Sequence, residues 1–284
     1  MVKNIILDTD IGGDPDDLFA LLMALNSREL YLRLILTTDE YKQGRFKYTQ
    51  KLLNLLDKNI NVVSGKDFRR KKCFVVGHLI KDIKEKSKKD LTNEMQKIIQ
   101  KNDHTYVVCL GPLSNIAEYL LRYPRMKDKI SLIVMGGFIK GYGKLNIEHN
   151  ILYDIPSAQK VLSSGINCRW VLGDHTYKDE ISIIKQSEVV RKIKYSNKPY
   201  SNLIYQSLMA FFNNLFPKSF MHDPLTLSFL IDKSIITFKK ERIIITDRGL
   251  FKKSKEGYAT NISNKVNYQR FNRMFKERVT NYFF

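Results

Sequence analysis

The chain has 284 residues, 43% of them hydrophobic, enough to bury a sizeable core as one large α/β domain or two small ones. No run reaches the roughly 18 apolar residues of a membrane span, and Cys73, Cys109 and Cys168 lack the spacing of a metal site or a disulfide framework. The formal charge of +19 invites a nucleic-acid role, but the lysines are scattered and no recognisable binding module accompanies them, so no specific nucleic-acid partner is expected.

The chain enters an apolar run, Ile5-Ile6-Leu7, almost at once. This reads as a buried strand over 4–7, leaves no room for a signal peptide, and makes a cytoplasmic location the expectation. Next comes Asp8-Thr9-Asp10-Ile11-Gly12-Gly13-Asp14-Pro15-Asp16-Asp17, five carboxylates in ten residues of a strongly basic chain. Like charges this dense need compensation by a cation, by protonation or by strong hydrogen bonds, and a hard divalent metal held by oxygen is the simplest source. The competing reading is an acidic turn that caps a helix, because Asp16-Asp17 opens the helical pattern Leu18, Leu21, Leu22, Leu25.

Further strands are expected at 32–37, 61–63, 106–110, 131–135 and 168–172, alternating with helices at 16–25, 46–56, 114–121 and 157–162. Such alternation argues for parallel βαβ units in one open sheet. Runs such as Leu132-Ile133-Val134-Met135, apolar without alternation, suit strands covered on both faces. The densest basic runs are Arg69-Arg70-Lys71-Lys72 and 81–89, and the second, which also holds Asp82 and Glu85, reads as a solvated helix face. Beyond Asp174 the alternation fades into helices around Leu203–Phe212, after Pro224 and over 266–279, with Ile243-Ile244-Ile245 as a late strand. The expected fold is therefore a single α/β domain over 1–284: an open, mostly parallel sheet flanked by helices, with a Rossmann-like core and a helical C-terminal portion.

Three later segments have the form of strand-end sites. Leu110-Gly111-Pro112-Leu113-Ser114-Asn115 and Met135-Gly136-Gly137 each follow a strand, the second leading to Glu148-His149-Asn150, and His222-Asp223-Pro224 opens an apolar helix. Individually each can be a turn or a helix cap. Together with Asp8-Thr9-Asp10 and the following Asp-Asp, in this order, the chain resembles the nucleoside hydrolases of the inosine–uridine-preferring type.

The resemblance implies a Ca²⁺-dependent N-ribohydrolase that releases free base and ribose from a nucleoside. It implies Asp10, Asp17, Asp223 and the Leu110 carbonyl as metal ligands, Asp16 as the general base toward a cation-activated water, and His222, a side chain that titrates near neutral pH, as the group that protonates the departing base. Glu148 and Asn150 would hold the ribose, with Met135 at the same strand end. Relatives are commonly dimers or tetramers, so the resemblance also implies a homodimer or homotetramer.

Two departures leave alternatives open. The acidic loop is two residues longer than usual, so Asp14 can replace Asp16 or Asp17, cap the turn, or touch a ribose hydroxyl. Where many relatives carry Val-x-Gly-Asn, this chain has Thr38-Asp39-Glu40-Tyr41, and Glu40 can accept ribose hydroxyls, signal another substrate or lie at the surface. The base is expected between loops at 68–79 and 197–216, with His78, Tyr200, Tyr205, Phe211 and Phe212 as candidate stacking residues and His149 packed or facing away. A modified N-riboside as substrate, or an idle nucleoside-binding role, remain the other readings.

Overall fold

A computed structural model describes residues 2–69, 73–280, 282 and 283 of the chain. Its strands are β1 (Lys3–Thr9), β2 (Leu30–Thr37), β3 (Val62–Ser64), β4 (Thr105–Cys109), β5 (Ile130–Met135), β6 (Asn167–Val171), β7 (Ser182–Ile184), β8 (Lys218–Phe220), β9 (Ile236–Ile245), β10 (Phe251–Lys253) and β11 (Tyr258–Val266). Nine of these form one sheet in the order β10-β9-β11-β6-β5-β4-β1-β2-β3, and β7 pairs with β8 apart from it. From β3 to β6 every pairing is parallel, in the 3-2-1-4-5-6 order of a doubly wound sheet. The chain reverses its direction of travel across the sheet between β1 and β4. The crevice beyond their carboxyl ends, where Asp8 pairs with Cys109, is the place such folds reserve for ligands.

Both faces are covered. Ile5, Leu7, Ile35, Val108 and Ile133 point into one hydrophobic cluster, with the helices Asp16–Leu25 and His222–Ile231 packed on it. Ile6, Leu34, Leu36, Val107, Leu132 and Trp170 point into the other, beneath the helices Ser114–Arg122 and Ile155–Ser163. Alternate residues of each strand feed opposite cores, which is why the strands read as continuous apolar runs.

The expected strands and helices of the first 172 residues are present, and the C-terminal segment carries the helices Ser201–Asn214, His222–Ile231 and Tyr268–Thr280. Between the last two, β9 and β11 form a long antiparallel pair that joins the main sheet through β6. The stretch 81–89, expected as a helix face, is instead a turn and irregular chain. The helix begins at Leu91, capped by the Asp90 carboxylate, which accepts the Asn93 amide at 2.8 Å. After Ile83 that stretch offers no apolar side chain to hold a helix against the core, and packing supplies most helical stability. Of the basic run at 69–72, Arg70, Lys71 and Lys72 lie outside the described residues. Among the described residues no helix is long and apolar enough to cross a membrane.

Candidate active site

The acidic loop divides as soon as β1 ends. Asp8 is still in the strand, and its carboxylate accepts the Asn115 side-chain amide at 2.8 Å; burial pushes its pKa up to about 8. Asn115 also takes the Lys66 amide at 2.9 Å, so it braces three strand ends rather than facing a ligand. The following carboxylates, Asp10, Asp14, Asp16 and Asp17, line a cavity of about 310 Å³ at the switch point.

Close approach of the strand ends requires Gly111. A Cβ there would stand 2.6 Å from Thr38 Cγ2 and 3.1 Å from Asp10 Cβ, so only glycine lets the end of β4 lie against the acidic loop. Gly12 turns the loop with φ +103°, a conformation open to glycine at little cost.

Asp16, Asp17 and Asp223 each offer a carboxylate oxygen, all within 4.8 Å of one another and all buried. Asp16 and Asp17 occupy the first turn of the helix Asp16–Leu25, and Asp223 the first turn of His222–Ile231. The positive ends of two helices thus converge on the cluster. Asp16 accepts the Asp17 amide at 3.1 Å and the Asp223 amide at 3.3 Å, while the Thr9 hydroxyl donates to Asp17. Burial first, then repulsion from neighbouring carboxylates, Asp10 among them in each case, pushes all three pKa values well above the usual carboxylate range. Three carboxylates that cannot all ionise without a counter-charge, with three further acids and a backbone carbonyl on the same cavity, are a hard-cation donor set.

The Leu110 carbonyl is fixed by the Asn150 amide at 2.7 Å, which also reaches the Met135 carbonyl at 3.4 Å. Asn150 therefore ties the ends of two adjacent strands together while lining the cavity. Glu148 caps the helix His149–Tyr153, accepting the amides of Asn150 at 2.9 Å and Ile151 at 3.2 Å; burial pushes its pKa up to about 7. Asp14, also lifted to about 7 by burial, takes the Ser219 hydroxyl.

His222 lines the cavity, with Nδ1 2.7 Å from the Thr176 hydroxyl and its ring 4.4 Å from that of Tyr177. The expectation that it titrates near neutral pH does not hold. Burial pulls its pKa down to about 3, so the imidazole is neutral and offers a ring N–H rather than a charge.

Glu40 is placed away from the cavity. Its carboxylate accepts the Thr37 hydroxyl at 2.6 Å and the amides of Arg45 at 3.0 Å and Phe46 at 2.8 Å, capping the helix Gly44–Leu55. Of the proposed stacking residues, Phe211 lines the cavity, whereas Tyr200 packs on Tyr282 and Phe283, and His78 and Tyr205 border a separate surface cleft. Phe212 is buried in the core. His149, expected to pack or face away, lines the cavity with its ring 4.3 Å from that of Tyr153.

Sequence reasoning missed Arg45. It is buried, pairs with Asp39 at 3.0 Å, and donates to the Asp39 carbonyl at 2.9 Å, to the Ile11 carbonyl at 3.0 Å and to the Asp10 carbonyl. One guanidinium thereby holds the acidic loop against the end of β2. Arg45→Met should destabilise the protein by about 3–5 kcal/mol, since it strands a buried carboxylate and three carbonyls; urea unfolding measures this, and a loss below about 1 kcal/mol would contradict that role.

A doubly wound sheet with buried carboxylates at its switch point, beside a cavity that is acidic at one end, defines an α/β protein built to hold a cation and a small polar ligand. The comparison with known proteins narrows this: the model of the inosine-uridine preferring nucleoside hydrolase family matches residues 5–273, and the chain belongs to that family. It is an enzyme of the nucleoside hydrolase type. It is 24% identical over 291 aligned positions to the pyrimidine-specific ribonucleoside hydrolase RihA of Shigella boydii, covering 88% of this chain and 86% of that one. A probable ribonucleoside hydrolase of Dictyostelium discoideum is 27% identical over 156 positions, 51% of this chain and 45% of that protein. Among solved structures, a plant nucleoside hydrolase superposes with a TM-score of 0.84 at 20% identity, covering 99% of both chains. The purine-preferring ribonucleoside hydrolase of Gardnerella vaginalis gives 0.80 at 20% identity, covering 98% of both.

Proposed function

We propose that the protein hydrolyses the N-glycosidic bond of ribonucleosides with Ca²⁺ as its resident cation. The single observation that carries this is the convergence of Asp16, Asp17 and Asp223 within 4.8 Å beside the Leu110 carbonyl, at the floor of a cavity that also holds Glu148 and Asn150. In the overall reaction a water oxygen bonds to C1′ and the C1′–N bond breaks. Its electron pair stays with the base nitrogen, which takes a proton, and the water loses one.

Asp10, Asp17, Asp223 and the Leu110 carbonyl are the proposed ligands, and Ca²⁺ suits them because it accepts six to eight hard oxygens in flexible geometry. When bound, the ion neutralises the carboxylates, holds ribose hydroxyls and makes water more acidic. Asp16 is the proposed base: its oxygens are fixed by two backbone amides, and burial raises its affinity for a proton. As the bond breaks, positive charge builds on the ribose, and the surrounding carboxylates stabilise that charge more than they do the neutral substrate. Glu148 and Asn150 border the ribose, Asp14 is in reach of the same ring, and neutral His222 donates a ring N–H to the departing base.

A second reading rests on the composition of the cluster. It groups Asp16 with Asp17 and Asp223, which suits Asp16 as a ligand and leaves Asp10, on the same cavity, as the base. Assembly as a homodimer or homotetramer is carried over from the resemblance and sedimentation checks it, whereas a cytoplasmic location is carried over from the reading of the sequence.

Reducing-sugar release from uridine, cytidine, inosine, adenosine and guanosine tests the function. Release from at least one is expected; none from any, with cation bound, would overturn it. Cation binding should also stabilise the fold. At a hundredfold excess over Kd the gain is about 2.7 kcal/mol, or roughly 5–10 °C in Tm. Calorimetry with calcium and after chelation measures it, and an unchanged Tm would contradict a resident ion.

A further inference from the structure

The acidic floor accounts for a ribose and a cation but leaves the rest of the cavity unexplained. Leu145, Ile147, Leu152, Phe211, Leu215 and Phe216 make up an apolar wall. Leu145, Leu152 and Phe216 are 50%, 53% and 63% exposed, unusual for large apolar side chains around one cavity. Surface of this kind gains when an apolar group covers it.

Outside the floor, the polar side chains on the described lining are the His149 and His222 rings, Cys73 and Tyr177, with no carboxamide or carboxylate among them. Cys73 Sγ lies 3.5 Å from the Tyr153 hydroxyl, and the Tyr177 ring stacks on Tyr142 at 4.8 Å. The six apolar side chains of the wall offer a base no hydrogen-bonding partner, and matching of its edge is left to the few polar groups beside them. The wall itself rewards added apolar atoms.

We infer that the site takes ribosides whose base bears an apolar substituent, with the substituent lying against Leu145, Leu152 and Phe216. This rests on the N-ribohydrolase reading and narrows its substrate class. The apolar mouth is continuous with the ribose floor, so a substituent on the base extends toward it while the sugar stays on the carboxylates.

The test is kcat/KM for adenosine and its N6-methyl, N6-propyl and N6-pentyl derivatives, and for uridine and its 5-methyl and 5-propyl derivatives. Relative to whichever parent is hydrolysed, kcat/KM should climb about two- to fourfold per added methylene, reaching tenfold or more for the longest chain. Leu152→Ser and Phe216→Ser, at exposed positions that tolerate a polar side chain, should flatten that climb. A flat or falling series with the parent still hydrolysed would overturn the inference and leave the hydrolase reading standing. A flat series accompanied by a dimer that Leu152→Ser dissociates would show that a second copy covers the mouth, which also overturns it. No release from any parent or derivative would overturn both.

Discussion

Asp17→Asn and Asp223→Asn should each abolish cation binding and ribose release together. Their carboxylates belong to the group of three held within 4.8 Å, and both are buried. Losing either removes one full negative charge and one hard oxygen donor from the set. Residues that merely orient ligands are commonly worth 10–100-fold in metal affinity, so a lost ligand should cost more than about 10²-fold. The fold should survive, because asparagine keeps the shape of aspartate and relieves repulsion among buried acids. Titration calorimetry with calcium, alongside circular dichroism, measures both effects. Full calcium affinity in either variant would remove that residue from the ligand set.

Asp16→Asn should separate binding from chemistry. If Asp16 is the base, calcium affinity stays within a few-fold of the parent while kcat falls about 10²- to 10⁴-fold. The backbone amides of Asp17 and Asp223 that fix this carboxylate can still be accepted by the asparagine oxygen, so geometry is preserved while the proton acceptor is lost. If calcium affinity collapses instead, Asp16 is the third ligand, and Asp10→Asn becomes the variant that should retain metal and lose turnover. Asp14→Asn, beside the same cavity and held by Ser219, should do neither to that degree.

Much of the fold was legible because its strands are buried on both faces. Ile5-Ile6-Leu7 and Leu132-Ile133-Val134 are apolar without alternation since neighbouring residues enter different cores. The helix at Asp16–Leu25 announced itself through acids in its first turn and leucines at helical spacing. The strand β11 did not: Asn261, Ser263, Asn264 and Lys265 give it little apolar character, and its place is set by pairing with β9 and β6. The helix Leu91–Lys101 was legible after the fact, from Asp90 as its cap and Leu91, Met95 and Ile99 at four-residue spacing.

At the site, residue type was readable and side-chain direction was not. Glu40 carries the charge that a ribose contact would need. Asp39, at φ 50°, turns the chain so that the Glu40 carboxylate meets the next helix start instead. His222 looked like a neutral-range acid because its burial depends on Tyr177 and Phe220, which approach from other parts of the chain. Arg45 gave no local signal, since the groups its guanidinium hydrogen-bonds lie at a turn of the acidic loop or just past the end of β2. The apolar wall likewise draws on segments around 145–152 and 211–216 that only the fold brings together.

The most direct measurement is ribose release from the preferred nucleoside by exhaustively chelated protein, with calcium then returned stepwise and bound metal counted at each step. Activity near zero after chelation, rising in proportion to bound calcium and saturating at one ion per chain, is the predicted result. Full activity in the metal-free protein, or calcium bound with no activity regained, would contradict a cation held by the carboxylate cluster as the centre of the reaction.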